Sequence, residues 1–182
     1  MNRIAKLLIY TLCLWQSQSS AGPLHDVIKE NFKIDALGEV IRLLEGGENI
    51  NGLSKFNETP LMLAARYGRI EIVRELINRG ANLEAVGSRG RTALISAAEF
   101  CSEVTFKELL MRGANIEAKT RDGGTVIDMV GYSEDPDWIK EGRAAVNEVI
   151  RQWSIKKQIK WPETVIRKFM PYRPYNPSQP NT

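Results

Sequence analysis

Thr59-Pro60-Leu61-Met62-Leu63-Ala64-Ala65 opens a stretch that continues through Gly68, Ile72-Val73 and Leu76-Ile77 to Gly80-Ala81-Asn82, and it recurs 33 residues later. Thr92-Ala93-Leu94-Ile95-Ser96-Ala97-Ala98 is the copy, and a weaker one runs from Thr125 to Gly131. Gly47, Gly80 and Gly113 share one register. Leu43-Leu44, Leu76-Ile77 and Leu109-Leu110 precede those glycines, and Asn49-Ile50, Asn82-Leu83 and Asn115-Ile116 follow them. A fixed period of this length means a stack of similar units rather than one closed core.

The chemistry inside one unit predicts a pair of helices. Thr59 can cap a helix whose first residue, Pro60, has no N–H to satisfy there. Leu61, Ala64 and Ala65 then face inward, and the small alanines let neighbouring helices approach closely. Gly68 permits the turn into a second helix, which carries Ile72, Val73, Leu76 and Ile77 at helical spacing. Gly80 ends that helix in the left-handed conformation, which a residue with a Cβ resists. A lone unit cannot bury its apolar face, so the copies must stack.

These motifs resemble the ankyrin repeat over roughly residues 26 to 153, with 59 to 91 as the cleanest copy. The resemblance implies an all-α solenoid of about four helix-turn-helix units joined by hairpin-like fingers. In strict register, 22 to 58 is a degenerate N-terminal capping repeat in which Asp26-Val27-Ile28 replaces Thr-Pro-Leu. Repeats follow at 59 to 91 and 92 to 124, and a C-terminal capping repeat spans 125 to 154. That last unit gains Ser133-Glu134-Asp135-Pro136-Asp137, an insertion of about seven residues, before an amphipathic helix running to Trp153. Met62, Ile95 and Asp128 stand where the family usually has His, so its Thr-to-His hydrogen bond is expected to be absent.

Both ends differ in composition from the repeats. Arg3 and Lys6 precede the apolar run Leu7 to Trp15, and Ser19-Ser20-Ala21 offers small residues for a signal peptidase, so residues 1 to 21 read as a signal peptide. An apolar run of about nine residues falls short of the ~20 needed to span a bilayer. Residues 155 to 182 form a basic tail rich in proline and aromatic residues, expected either to pack on the last helix or to meet a membrane surface, polymer or partner. The formal charge of +3 is uneven: residues 22 to 153 carry 17 basic and 21 acidic side chains. An acidic repeat body argues against nucleic acid as the partner of the whole protein.

No catalytic or cofactor constellation is visible. His25 is the sole histidine, lies in the degenerate first unit with no nucleophile motif near it, and is expected to be an exposed cap residue. Loss of Cys13 with the leader would leave Cys101 alone, expected as a half-buried small hydrophobe. One cysteine and one histidine cannot build a zinc site, and Asp122-Gly123-Gly124-Thr125 lacks the spacing of a phosphate or calcium loop. No cofactor or metal is expected.

In the ankyrin family the partner meets the finger tips and the exposed side of each first helix. By register the fingers contribute Lys55, Phe56 and Glu58, then Ser88, Arg89 and Arg91, then Arg121 and Asp122. The helices contribute Arg66 and Tyr67, Glu99 and Phe100, and Tyr132. Aromatic and arginine side chains are frequent interface hot spots. The expectation is a non-enzymatic exported adaptor, periplasmic and monomeric when free, binding another protein through its concave face and meeting the membrane only during export. A secreted effector with a host-cell partner and a surface-binding module acting through the tail are the alternatives.

Overall fold

The structure is a computed structural model that describes residues 22–30, 35–130 and 137–157; residues 1–21, 31–34, 131–136 and 158–182, with the expected signal peptide and tail, lie outside the described residues. Eight α-helices lie within it: α1 (Pro23–Lys29), α2 (Ala36–Glu45), α3 (Pro60–Arg66), α4 (Ile70–Asn78), α5 (Ala93–Glu99), α6 (Glu103–Met111), α7 (Val126–Val130) and α8 (Asp137–Lys157). The odd-numbered helices pack side by side in one row and the even-numbered helices in a second, each pair touching the next. This is the expected all-α stack of four helical pairs.

The sequence signals act where they were expected to. The Thr59 hydroxyl accepts from Met62 N at 3.2 Å and Pro60 begins α3, while Thr92 does the same for Ile95 N at 3.4 Å. Leu61, Ala64, Ala65, Leu94, Ala97 and Ala98 are fully buried between successive first helices. Gly80 closes α4 with φ +87°, in the left-handed region that favours glycine.

Strict 33-residue register misplaces the first unit. The observed helix begins at Pro23, so Pro23 stands to Pro60 as Pro60 stands to Pro-equivalent Ala93, but at a distance of 37 residues instead of 33. Gly22-Pro23-Leu24-His25 is therefore the helix opening of this unit, and four extra residues separate its two helices. Leu24, Val27 and Ile28 occupy the inward positions of Leu61, Ala64 and Ala65, and all are buried. Proline selects this start because only the first turn of a helix tolerates its missing N–H.

His25 then lies in the register of Met62, Ile95 and Asp128, so one copy does retain the histidine. It is not an exposed cap residue: only 4% of its surface is accessible. Its Nε2 donates toward the carbonyl oxygens of Gly52 at 3.1 Å and Glu58 at 3.0 Å, tying α1 to the base of the first finger. A side chain placed at a helix start against the next finger is covered on both sides, and composition alone does not show that. In the last unit Asp128 substitutes for the histidine, its carboxylate accepting from both the N–H and the hydroxyl of Thr125 at 2.8 Å. In this one unit the bond expected to be missing is replaced rather than lost.

The C-terminal unit closes the stack with a longer helix. Val146, Val149 and Ile150 are buried forty residues after their counterparts Phe106, Leu109 and Leu110, seven beyond the repeat period. Seven residues make about two helical turns, so the extra length returns the same face to the core. Gly142 lets α8 approach the turn after α5 closely, since a Cβ there would lie 2.9 Å from Cys101 Cβ. Cys101 is half-buried and holds φ +54°, the left-handed turn that Gly68 makes one unit earlier.

Candidate functional site

Between the helical pairs the chain forms three fingers, each closed by one backbone bond at the same register. Ser54 N donates to Glu58 O at 2.9 Å, Gly87 N to Arg91 O at 2.8 Å and Thr120 N to Gly124 O at 2.8 Å. The fingers are also joined to one another: Ser88 N donates to Asn57 O at 3.1 Å and Arg121 N to Arg89 O at 2.9 Å. The Ser88 hydroxyl adds a bond to Phe56 O. Side chains on consecutive fingers are thereby held in fixed register rather than on independent loops.

Three aromatic side chains stand out on this edge. Phe56 on the first finger is 56% exposed, while Tyr67 and Phe100, at the C-terminal caps of α3 and α5, are 43% and 50% exposed. Tyr67 and Phe100 are one repeat apart. Cations lie over two of the rings: Lys29 Nζ and Lys55 Nζ at 5.5 and 5.2 Å from the Phe56 centroid, and Arg66 Cζ at 4.9 Å from that of Phe100. Lys29 and Arg66 are the last residues of α1 and α3. The Arg66 contact crosses from one unit to the next.

One ion pair braces each of the first two fingers against its own first helix. Glu58 pairs with Arg66, and one unit later Arg91 pairs with Glu99 at 2.8 Å, the same two positions with the charges exchanged. All four side chains are largely buried. Register places Arg66, Arg91 and Glu99 among the contact positions, and the structure adds a second role: salt bridges partly withdrawn from water hold them, so they position the finger. Sequence reasoning missed the pairing because the partners are eight residues apart, across a turn, where no helical spacing signals contact. Arg66 Nε and Glu99 Oε2 lack partners within the described residues.

Lys55, Arg89 and Arg121 differ from these. All three are exposed at the finger tips, and none forms an ion pair within the described residues. Arg89 also adopts φ +58°, a left-handed conformation that costs an L-residue roughly 1–2 kcal/mol. Tyr132 lies outside the described residues, so its place in the patch is set by register alone. Among the described residues no group of three or more His, Cys, Asp or Glu side chains could hold a metal ion. The arrangement offers aromatic, cationic and hydrogen-bonding contact surface.

Comparison with known families agrees with this architecture. A three-copy ankyrin-repeat family model matches residues 24–120, beginning at the Leu24 that starts the buried row and ending at the base of the third finger. No curated protein matches the chain. The match covers more than half of the 182 residues and falls on the helical pairs and fingers described above: the chain belongs to the ankyrin-repeat family.

Proposed function

We propose that this chain is an exported, non-enzymatic adaptor that binds another protein through the concave edge formed by its fingers and first helices. Ankyrin repeats are generally protein–protein interaction modules. The observation that carries the site assignment is the exposed row of Phe56, Tyr67 and Phe100, which the core does not need. The cations already placed over two of the rings fix their orientation before a partner arrives, so less conformational freedom is lost on binding.

Export is supported by the sequence of residues 1 to 21, where Arg3 and Lys6 precede a short apolar run and a small-residue cleavage site. Periplasmic residence fits that leader, with a single mature cysteine that has no disulfide to form. A secreted effector would use the same face against a host protein. Fractionation of the native cell decides the compartment: mature chain in the periplasm supports the adaptor reading, and chain in the culture medium or host cell supports the effector.

The binding face is tested by affinity capture with tagged wild type and with Tyr67→Ala/Phe100→Ala from the native extract. Loss of a specific partner by the variant, at an unchanged melting temperature, is the expected result. Equal recovery by both proteins would remove the concave edge from the account.

A further inference from the structure

The cations of the binding edge fall into two classes, and the difference identifies the chemistry of the partner. Arg66 and Arg91 are neutralised internally by Glu58 and Glu99. Lys55, Arg89 and Arg121, one on each finger, have no carboxylate partner among the described residues. Direct backbone bonds between the fingers hold these three in a row. Resting on the concave-edge reading above, we infer that the finger tips are a docking strip for an extended acidic segment of the partner protein.

Charge placement supports this. Residues 22 to 153 as a whole carry more acidic than basic side chains while the finger tips carry more basic than acidic ones, so an acidic segment is favoured at the finger edge over the body as a whole. Asp122 is the one carboxylate among tip residues 55–57, 88–90 and 121–123, opposing Lys55, Arg89 and Arg121. Lys29, over Phe56, adds a further cation at the N-terminal end. The left-handed backbone of Arg89 belongs to the same lock, since its carbonyl accepts the Arg121 N–H, and the turn leaves the long Arg89 side chain exposed at the tip.

Geometry sets the spacing of the acids. Neighbouring helices pack about 8–10 Å apart, and an extended peptide advances about 3.3 Å per residue, so carboxylates at every third position match consecutive fingers. Nucleic acid fits less well, because cations already lie over the Phe56 and Phe100 rings and compete with bases for stacking there.

The probe is a fluorescein-labelled peptide with glutamate at every third position and serine and alanine between, read by fluorescence anisotropy against the full mature chain. Its glutamine counterpart and a single-stranded oligothymidine of equal charge are the controls. Wild type is expected to bind the glutamate peptide over both controls, and more weakly as salt rises. Lys55→Gln/Arg89→Asn/Arg121→Gln should weaken that binding at least about tenfold, with the melting temperature unchanged or raised because asparagine tolerates the left-handed turn. Asp122→Asn, an exposed single change, should strengthen it. Equal binding of the glutamine peptide, undiminished binding by the triple variant, no gain from Asp122→Asn, or preference for the oligothymidine would each overturn the inference. If those results came while Tyr67→Ala/Phe100→Ala still abolished partner capture, the acidic-segment inference would fail and the concave-edge reading would stand.

Discussion

Gly90→Ala and Gly123→Ala change the same repeat position, yet the structure predicts very different costs. Both glycines are left-handed, with φ +77° and +79°, so each alanine meets backbone strain of roughly 1–2 kcal/mol. At Gly123 a new Cβ meets nothing within 4 Å. At Gly90 it would lie 2.5 Å from Arg121 N and 3.0 Å from Thr120 C, both backbone atoms of the next finger that cannot rotate away. Relief requires the second and third fingers to separate, which loses the Arg121 N to Arg89 O bond, a further ~0.5–1.5 kcal/mol before any repacking. Gly90→Ala should therefore cost about 2–4 kcal/mol and Gly123→Ala about 1–2 kcal/mol. Urea unfolding followed by circular dichroism reads both from the shift in midpoint at constant slope. Equal destabilisation by the two would show that the fingers are not in direct contact and would refute the locked register on which the binding edge depends.

Three further changes probe the stack. Gly22→Thr should stabilise by about 1 kcal/mol in thermal unfolding, because a Cβ there lies 3.8 Å from the buried, partnerless Nδ1 of His25 and the hydroxyl can donate to it; a loss of stability would show that the nitrogen is already satisfied. Arg91→Ala should cost about 1–2 kcal/mol by leaving Glu99 unpaired, and a melting temperature equal to wild type would return Arg91 to the free surface. Gly80→Val should cost roughly 1–2 kcal/mol of strain alone, since its Cβ meets nothing within 4 Å; an unaffected protein would contradict the left-handed helix end.

The interior of the fold was legible because Thr59, Pro60, Leu61, Ala64, Ala65 and Gly80 each act through local chemistry that the period repeats. The first unit is obscured for a specific reason: four inserted residues between α1 and α2 shift Gly22-Pro23-Leu24-His25 out of the 33-residue register, so strict register puts the helix opening at Asp26, while Pro23 marks the true start by its missing N–H. The extra seven residues before the core face of α8 were visible from the displaced apolar pattern. Exposed aromatic positions could be read from register, since Tyr67 and Phe100 fall just past the buried alanines. The bracing pairs Glu58–Arg66 and Arg91–Glu99 could not, because they depend on how each finger folds back over its own helix.

The central claim, that the partner lies on the edge bearing Tyr67 and Phe100, is tested most directly by where the partner touches the chain. A photocrosslinking amino acid placed singly at Tyr67, Phe100 or Met111, each on the surface and the last on an outer-row helix, is activated in the native cell and its adducts are separated by mass. The account predicts one common adduct from positions 67 and 100 and none from 111. The same adduct from position 111, with none from 67 and 100, would place the partner on the opposite face and contradict it.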